Sequence, residues 1–363
     1  MTQRRKFIKG TLAGIAGLAF SSERLFANII TPQPRKLGVA LVGLGYYSTD
    51  LLAPGLQLTE NCYLAGIVTG TPAKAEKWKQ QYKIADKNIY NYDNFSSIAD
   101  NPAIDIVYIV LPPSMHAEYG IKGANAGKHV WCEKPMAMTA AECQSMIDAA
   151  NNNKVQLTVG YRMHHEPNTQ RIMNFAKELP YGKLKNLTAA AGYRDNRTDH
   201  WKQKKTMGGG AMYDMGVYPL NAARYASGME PVAVTARAST TRPEIYKEVE
   251  ETMEFDLEFP GGATAECETS FGKNMNDLQV NFENGSYRLS PFQAYSGING
   301  ETSDGIKLNA TIPHQQARQM DDDALAIIRK TRPLVPGEEG LKDIRIVEAI
   351  YKSVKEKKKI LLT

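Results

Sequence analysis

A chain of 363 residues, 42% hydrophobic and 23% charged, has room for two globular domains and lacks the polar bias of a disordered protein. Its formal charge of +5 gathers at the start, where Arg4, Arg5, Lys6, Lys9 and Arg24 face only Glu23, so the remainder is close to neutral and offers no nucleic-acid surface. Cys62, Cys132, Cys143 and Cys267 form no CxxC pair and no His/Cys spacing suited to zinc, which leaves no metal site and points to buried free thiols.

Residues 1–27 read as an address. Gln3-Arg4-Arg5-Lys6-Phe7-Ile8-Lys9 precedes a weakly apolar stretch, Gly10 to Phe20, and a polar segment ending at Leu25-Phe26-Ala27. This resembles a twin-arginine signal peptide, and the apolar stretch is too short for a bilayer core that needs about 20 helical residues. The expectation is export to the periplasm by the twin-arginine machinery, which carries folded proteins. A cofactor would then travel inside.

From Leu37 to Gly160, short apolar runs alternate with amphipathic segments, which predicts a doubly wound parallel sheet over residues 36–160. Strands are expected at Leu37–Val42, Cys62–Val68, Asp105–Val110, His129–Cys132 and Gln156–Val159, with helices at Thr49–Leu58, Ala73–Tyr82, His116–Ala126 and Ala140–Asn151. Residues 161–363 change texture, with strands such as Val232–Ala238, Thr252–Phe259 and Ala263–Thr269 joined by turns like Pro260-Gly261-Gly262. Helices follow near Gln319–Lys330 and Glu339–Lys355. The prediction is an α/β chain: a Rossmann domain, then an α+β domain on one large, open, mainly antiparallel sheet. Such a sheet is expected to expose an apolar face and so favour a homo-oligomer, a dimer or tetramer.

The first strand runs into Gly43-Leu44-Gly45-Tyr46-Tyr47-Ser48. Glycines there permit a tight turn and close approach of backbone to a pyrophosphate, with a helix N-terminus behind it. An ordinary strand-to-helix turn has the same residues, and the long alternating context is what favours a cofactor. The second strand ends Val68-Thr69-Gly70-Thr71 without the carboxylate that holds a ribose 2′-hydroxyl. Lys74 stands one turn on, which tilts the choice to NADP, with NAD as the alternative.

Strand His129–Cys132 stops at Glu133-Lys134-Pro135, on the carboxyl edge where ligands of open α/β folds bind. A second cluster is Gly208-Gly209-Gly210-Ala211-Met212-Tyr213-Asp214-Met215-Gly216-Val217-Tyr218. In a regular helix Asp214 and Tyr218 share a face. Hydride transfer from an alcohol needs a group to take the hydroxyl proton, and Tyr218 suits that task with Lys134 as the assisting cation and Asp214 orienting the substrate. The plain alternative makes Asp214 a helix cap and Tyr218 a packing residue.

Glu133-Lys134-Pro135, Gly160-Tyr161-Arg162-Met163-His164 with Glu166-Pro167, and the glycine run through Asp214-x-Gly216-x-Tyr218 resemble the Gfo/Idh/MocA oxidoreductase family. Tyr at 218, where most members carry His, together with Ile89-Tyr90-Asn91-Tyr92 and Pro336-Gly337-Glu338-Glu339-Gly340, is similar to its glucose-fructose oxidoreductase branch. The resemblance implies cofactor contacts at Gly43, Leu44, Gly45, Tyr46, Tyr47, Thr69, Gly70, Thr71, Lys74, Leu111, Pro112, His116, Glu133, Lys134 and Arg162, with Tyr295 closing over the nicotinamide. It implies catalysis by Lys134, Asp214 and Tyr218. Sugar contacts are expected from Arg162, His164 and Trp201. Three departures stand out: only Asn28 to Lys36 precedes the first strand where that branch has a long arm, Pro113 replaces a common Asn, and His165 stands where Tyr is usual.

The implied activity is NADP-dependent transfer of hydride between an aldose and a tightly held nicotinamide, regenerated by a second sugar. Two rivals share the fold. One is a glycoside-cleaving enzyme that uses transient oxidation and elimination. The other is a non-catalytic sugar-binding or assembly protein.

Overall fold

Short apolar runs separated by helices pair in parallel, because only a crossover can bring each strand back in the same direction. The computed structural model describes residues 35–362, so the signal-like segment lies outside the described residues. Strands β1 (Leu37–Val42), β2 (Cys62–Val68), β3 (Ile89–Tyr90), β4 (Ile106–Ile109), β5 (His129–Cys132) and β6 (Leu157–Val159) form one sheet in the order β3-β2-β1-β4-β5-β6. All its pairings are parallel.

Where a regular helix is expected after β1, the chain forms a wide π-type turn, Ser48–Leu52, and then a short α1 (Ala53–Leu56). Pro54 has no amide hydrogen to offer, and the Ala53 amide reaches back five residues to the Ser48 carbonyl. Helices α2 (Pro72–Tyr82), α3 (His116–Asn125) and α4 (Ala140–Asn152) follow. Thr139 and Glu142 close a reciprocal capping box at the start of α4.

In the second half, α5 (Pro167–Glu178), β7 (Leu184–Gly192), α6 (Val217–Ser227), β8 (Ala233–Ser239), β9 (Thr252–Glu258), β10 (Thr264–Ser270), β11 (Met275–Phe282), β12 (Ser286–Leu289), β13 (Gly300–Thr302), α7 (Gln315–Arg329), α8 (Gly337–Glu356) and β14 (Ile360–Leu361) follow in turn. The strands order as β13-β12-β11-β7-β10-β9-β8-β14, with β7 and β10 the one parallel pair among them. Helix α7 returns to the first sheet, where Met320 and Ala324 join Leu41, Ile67, Tyr108 and Trp131 in one buried cluster.

Leu187, Phe255, Leu257, Ala265, Leu278 and Val280 are buried on the inner face of the second sheet. The outer face does not match the expected apolar surface. It presents Thr188, Arg237, Glu254, Asp256, Glu266, Glu268 and Asp277, with Arg237 paired to Glu254, Lys273 to Glu268 and Arg288 to Asp277. Strand alternation sends Leu187, Phe255, Leu257, Leu278 and Val280 inward and leaves the small Ala190 among the outer charges, so an exposed apolar face gives no reason for self-association. All four cysteines are buried and free.

Candidate active site

The glycine turn is built for close approach. Gly43 has φ +93°, and a Cβ there would stand 2.5 Å from the Val110 carbonyl oxygen and 2.7 Å from the Leu111 side chain. A Cβ on Gly45 would meet nothing, so the turn is open above that residue. Ser48, buried, donates its hydroxyl to the Gly43 carbonyl at 2.6 Å and ties the turn to the segment behind it. Lys74 reaches from α2 to the Leu44 carbonyl at 3.1 Å, which sets a cation beside the turn. Thr69 accepts the Thr71 amide at 3.2 Å, and Gly70 and Thr71 are exposed at the end of β2. A bare glycine turn, two hydroxyls, a cation and no carboxylate make a donor set that fits a dinucleotide carrying a 2′-phosphate.

His116 does not face that space. Its ring lies 2.8 Å from both the Pro135 and the Leu111 carbonyls, so it clasps the loop of Leu111 and Pro112 to the Lys134-Pro135 loop. Burial lowers its pKa. It positions cofactor-side backbone.

Beyond the carboxyl edge of β5, two cationic side chains converge on Tyr218. Lys134 Nζ lies 4.5 Å above the Tyr218 ring and donates to the Asp214 carbonyl at 2.7 Å. Arg162 also faces the ring, and its Nη1 is 3.4 Å from the Tyr218 hydroxyl. The cation at the hydroxyl is thus Arg162, whereas Lys134 sits over the ring face. Burial works to lower the Lys134 pKa, but Tyr218, Asp214 and Glu133 outweigh it and the ammonium is favoured. Tyr295 comes from the far side: Arg162 lies 4.8 Å over its ring, and the Tyr47 ring packs against it, tilted, at 6.0 Å. Tyr46 is exposed beside it.

Asp214 and Tyr218 are not on one regular helical face. Met212–Gly216 forms a second π-type turn before α6, with the Val217 amide reaching back to Met212. Pro219, two residues on, likewise has no amide hydrogen to give, so this widened turn also lies just ahead of a proline. The glycines before it are needed where Gly210, at φ +107°, passes Glu250, whose carboxylate accepts the Met212 amide at 2.9 Å.

Asp214 has partners that sequence reasoning missed. Lys202 Nζ is 2.6 Å and the Tyr193 hydroxyl 3.1 Å from Oδ2, while Oδ1 is 3.9 Å from Lys134. Burial pushes this carboxyl up, yet Lys202 and Lys134 prevail and it sits below the usual carboxylate range. Lys202 and Tyr193 lie on a loop and a strand end whose only signal is their meeting in space. Gln293, 3.4 Å from Arg162, was missed for the same reason.

Trp201 adjoins Lys202, whose ammonium is 5.6 Å from the indole, so it borders the Asp214 cluster. His164 stands apart from a sugar-contacting role. It is buried, bonded to Asn221 at 2.8 Å and pushed down to about 4 by burial. Asn221 leads to Asp343 and Arg224 in the core behind α6. Glu133 is buried, accepts the Tyr108 hydroxyl at 2.7 Å and is raised by burial.

Tyr218, two cations and an ionised carboxylate thus stand at the same carboxyl edge of the sheet as the glycine turn. A model described as an oxidoreductase family with an NAD-binding Rossmann fold matches residues 37–161, and the GFO/IDH/MocA C-terminal domain matches residues 174–288. The chain belongs to the Gfo/Idh/MocA family. As such it is an NAD(P)-dependent oxidoreductase acting on CH–OH groups. Among solved members, aldose-aldose oxidoreductase from Caulobacter crescentus, complexed with glycerol, is similar at TM-score 0.87 and 36% identity, covering 90% of this chain and 100% of that one. D-xylose 1-dehydrogenase [NADP(+)] from Haloarcula marismortui is 28% identical over 326 residues, 86% of this chain and 90% of its own. D-xylose 1-dehydrogenase (NADP(+)) 2 from Haloferax volcanii is likewise 28% identical, across 87% of this chain and 95% of its own.

Proposed function

We propose that this chain passes hydride between an aldose and a tightly held NADP, with a second sugar restoring the starting state. The observation that carries it is the convergence of Lys134 and Arg162 on Tyr218 at the carboxyl edge of the first sheet, with Lys134 also bonded to the Asp214 carbonyl. The sugar names of the relatives support an aldose substrate.

The nicotinamide, when bound, accepts or returns the hydride. Tyr218 Oη takes the proton of the sugar hydroxyl. Arg162 at that oxygen and Lys134 over the ring stabilise the charge that develops there, in a setting where fixed cations act strongly. Lys202 and Tyr193 occupy Asp214 Oδ2, so Oδ1 is the oxygen left to accept a second sugar hydroxyl and orient the ring. Trp201 beside it offers an apolar wall. Lys74 at the glycine turn supports the 2′-phosphate.

We also infer that the mature chain works in the periplasm after twin-arginine export, on the strength of Arg4-Arg5 and the residues after them. Replacing Arg4 and Arg5 by Lys tests this: periplasmic recovery should fall, and unchanged recovery would overturn it.

The test of function starts from protein purified without added nucleotide. Absorbance or fluorescence of bound NADP is expected, and aldose alone should reduce it stoichiometrically, with a second sugar reversing the change. Protein that emerges empty and turns over only with free nucleotide would refute the closed cycle and leave a simple dehydrogenase.

A further inference from the structure

Beneath the site runs a buried polar seam that the proton chemistry of Tyr218 does not use. Tyr108, Trp131 and Thr158 stand side by side on β4, β5 and β6. Helix α7 covers that face of the sheet and brings Gln319 and Asp323, with His165 from the turn Arg162–His165 alongside. All six are almost wholly buried. Among the described residues, Trp131 Nε1, Thr158 Oγ1, His165 Nε2, Gln319 Oε1 and both Asp323 carboxylate oxygens have no hydrogen-bond partner. A core does not leave so many polar atoms bare unless internal water bonds to them or they have work to do.

The seam has two ends. At the inner end, Tyr108 donates to Glu133 Oε1 at 2.7 Å and receives the Gln319 amide at 3.4 Å. Glu133 adjoins Lys134, at the reaction site. At the outer end, His165 Nε2 is 3.9 Å from Asp323 Oδ1, and its Nδ1 is 3.0 Å from Asp322 Oδ2. The Asp322 side chain is 29% exposed and pairs with Arg318 at the surface. The charge of Asp323 is felt at the Tyr108 hydroxyl. The ionisable groups facing Asp323 are His165, Asp322 on its own helix, Tyr108 from β4 and the Cys62 thiol from β2. Burial pushes Asp323 up to about 7, so it gives and takes protons near neutrality.

We propose that this seam is a proton path, running from Glu133 at the reaction site through Tyr108, Asp323 and His165 to Asp322 at the surface. It rests on the oxidoreductase reading. Oxidation of an alcohol sends two electrons away with the hydride and leaves one proton, first on Tyr218. Tyr218 gives its proton to water in the site, Glu133 takes one up from that water, and each further hop breaks one O–H or N–H bond and makes one. Tyr108 first turns its hydroxyl from Glu133 to an internal water that leads to Asp323, then passes its proton on and receives one from Glu133. Asp322 returns it to solvent, and reduction runs the path backwards.

Tyr108→Phe and Asp323→Asn cut the path at two points without changing its shape. In a single turnover read by nicotinamide absorbance and by a pH indicator in weak buffer, the native protein should release its proton together with hydride transfer. In each variant release should lag by about a hundredfold, the smaller end of what proton-transfer groups contribute. Synchronous release in both variants overturns the path. A second arm needs no turnover: the Asp323 carboxyl band, assigned by its loss in Asp323→Asn, is titrated by infrared difference in the protein as purified. Its midpoint should move in Glu133→Gln, and an unmoved midpoint likewise overturns the path. If no sugar reduces the bound nucleotide, the oxidoreductase reading fails and this second arm still decides the seam.

Discussion

Two groups of buried charges flank α6 and behave differently. Behind the helix, Arg224 is saturated: Glu230, Glu339 and Asp343 all accept from it within 2.8 Å, and Asn221 adds a bond to Asp343. In front of it, Lys134 has one backbone carbonyl and an aromatic face, Asp214 keeps one carboxylate oxygen nearly free, and Arg162 Nε has no partner among the described residues. Charges whose bonds are all spent within the fold hold it together. Charges with bonds to spare are available to a substrate.

Four substitutions can break or sharpen that contrast. Tyr218→Phe removes the proton acceptor and should cut kcat by about 10³-fold, within the range for general bases, while nucleotide binding by fluorescence and Tm stay near native. Arg224→Met strands Asp343, which is wholly buried, and should cost about 3–5 kcal/mol in urea unfolding with little change in the kcat of the folded fraction. If Arg224→Met instead spared stability and abolished turnover, the division between the two groups would be wrong.

Lys202→Met acts on the front group alone and should lower kcat by about tenfold, the usual loss for one charge-assisted bond. Its pH profile is the sharper readout. Asp214 sits below the usual carboxylate range largely because of Lys202, so it stays ionised until the pH falls through that depressed value. Without Lys202 its pKa rises, and the acid limb of kcat should move to higher pH; an unmoved limb would remove Asp214 from the mechanism. The smallest effect is expected from Lys74→Ala, a few-fold rise in the Kd for NADP with NADH binding unchanged, as befits one exposed cation.

Much of the first sheet was legible because its strands are uninterrupted apolar runs: Leu37–Val42, Cys62–Val68 and His129–Cys132 have the expected bounds. Strand β7 gave no such signal, since Lys185-Asn186 and the run Ala189-Ala190-Ala191 carry weak strand preference and are held by β10 and β11 on either side. Asp214 and Tyr218 stood out by motif, but their geometry did not, because the backbone widens just ahead of Pro219 in a way periodicity does not reveal. His164 misled for a related reason: the motif places it next to Arg162, while the turn sends the two side chains to opposite sides. Lys202 and Tyr193 were invisible because nothing short of the folded loop brings them to Asp214.

The bond from Lys134 to the Asp214 carbonyl joins residues 80 positions apart and ties the end of β5 to the start of α6. A contact of such long range is entropically expensive to close and tends to form late in folding. A chain with both sheets assembled but this link unmade would look native by circular dichroism and yet be inert. Turnover therefore doubles as a stringent gauge of completed folding, stricter than secondary structure or compactness.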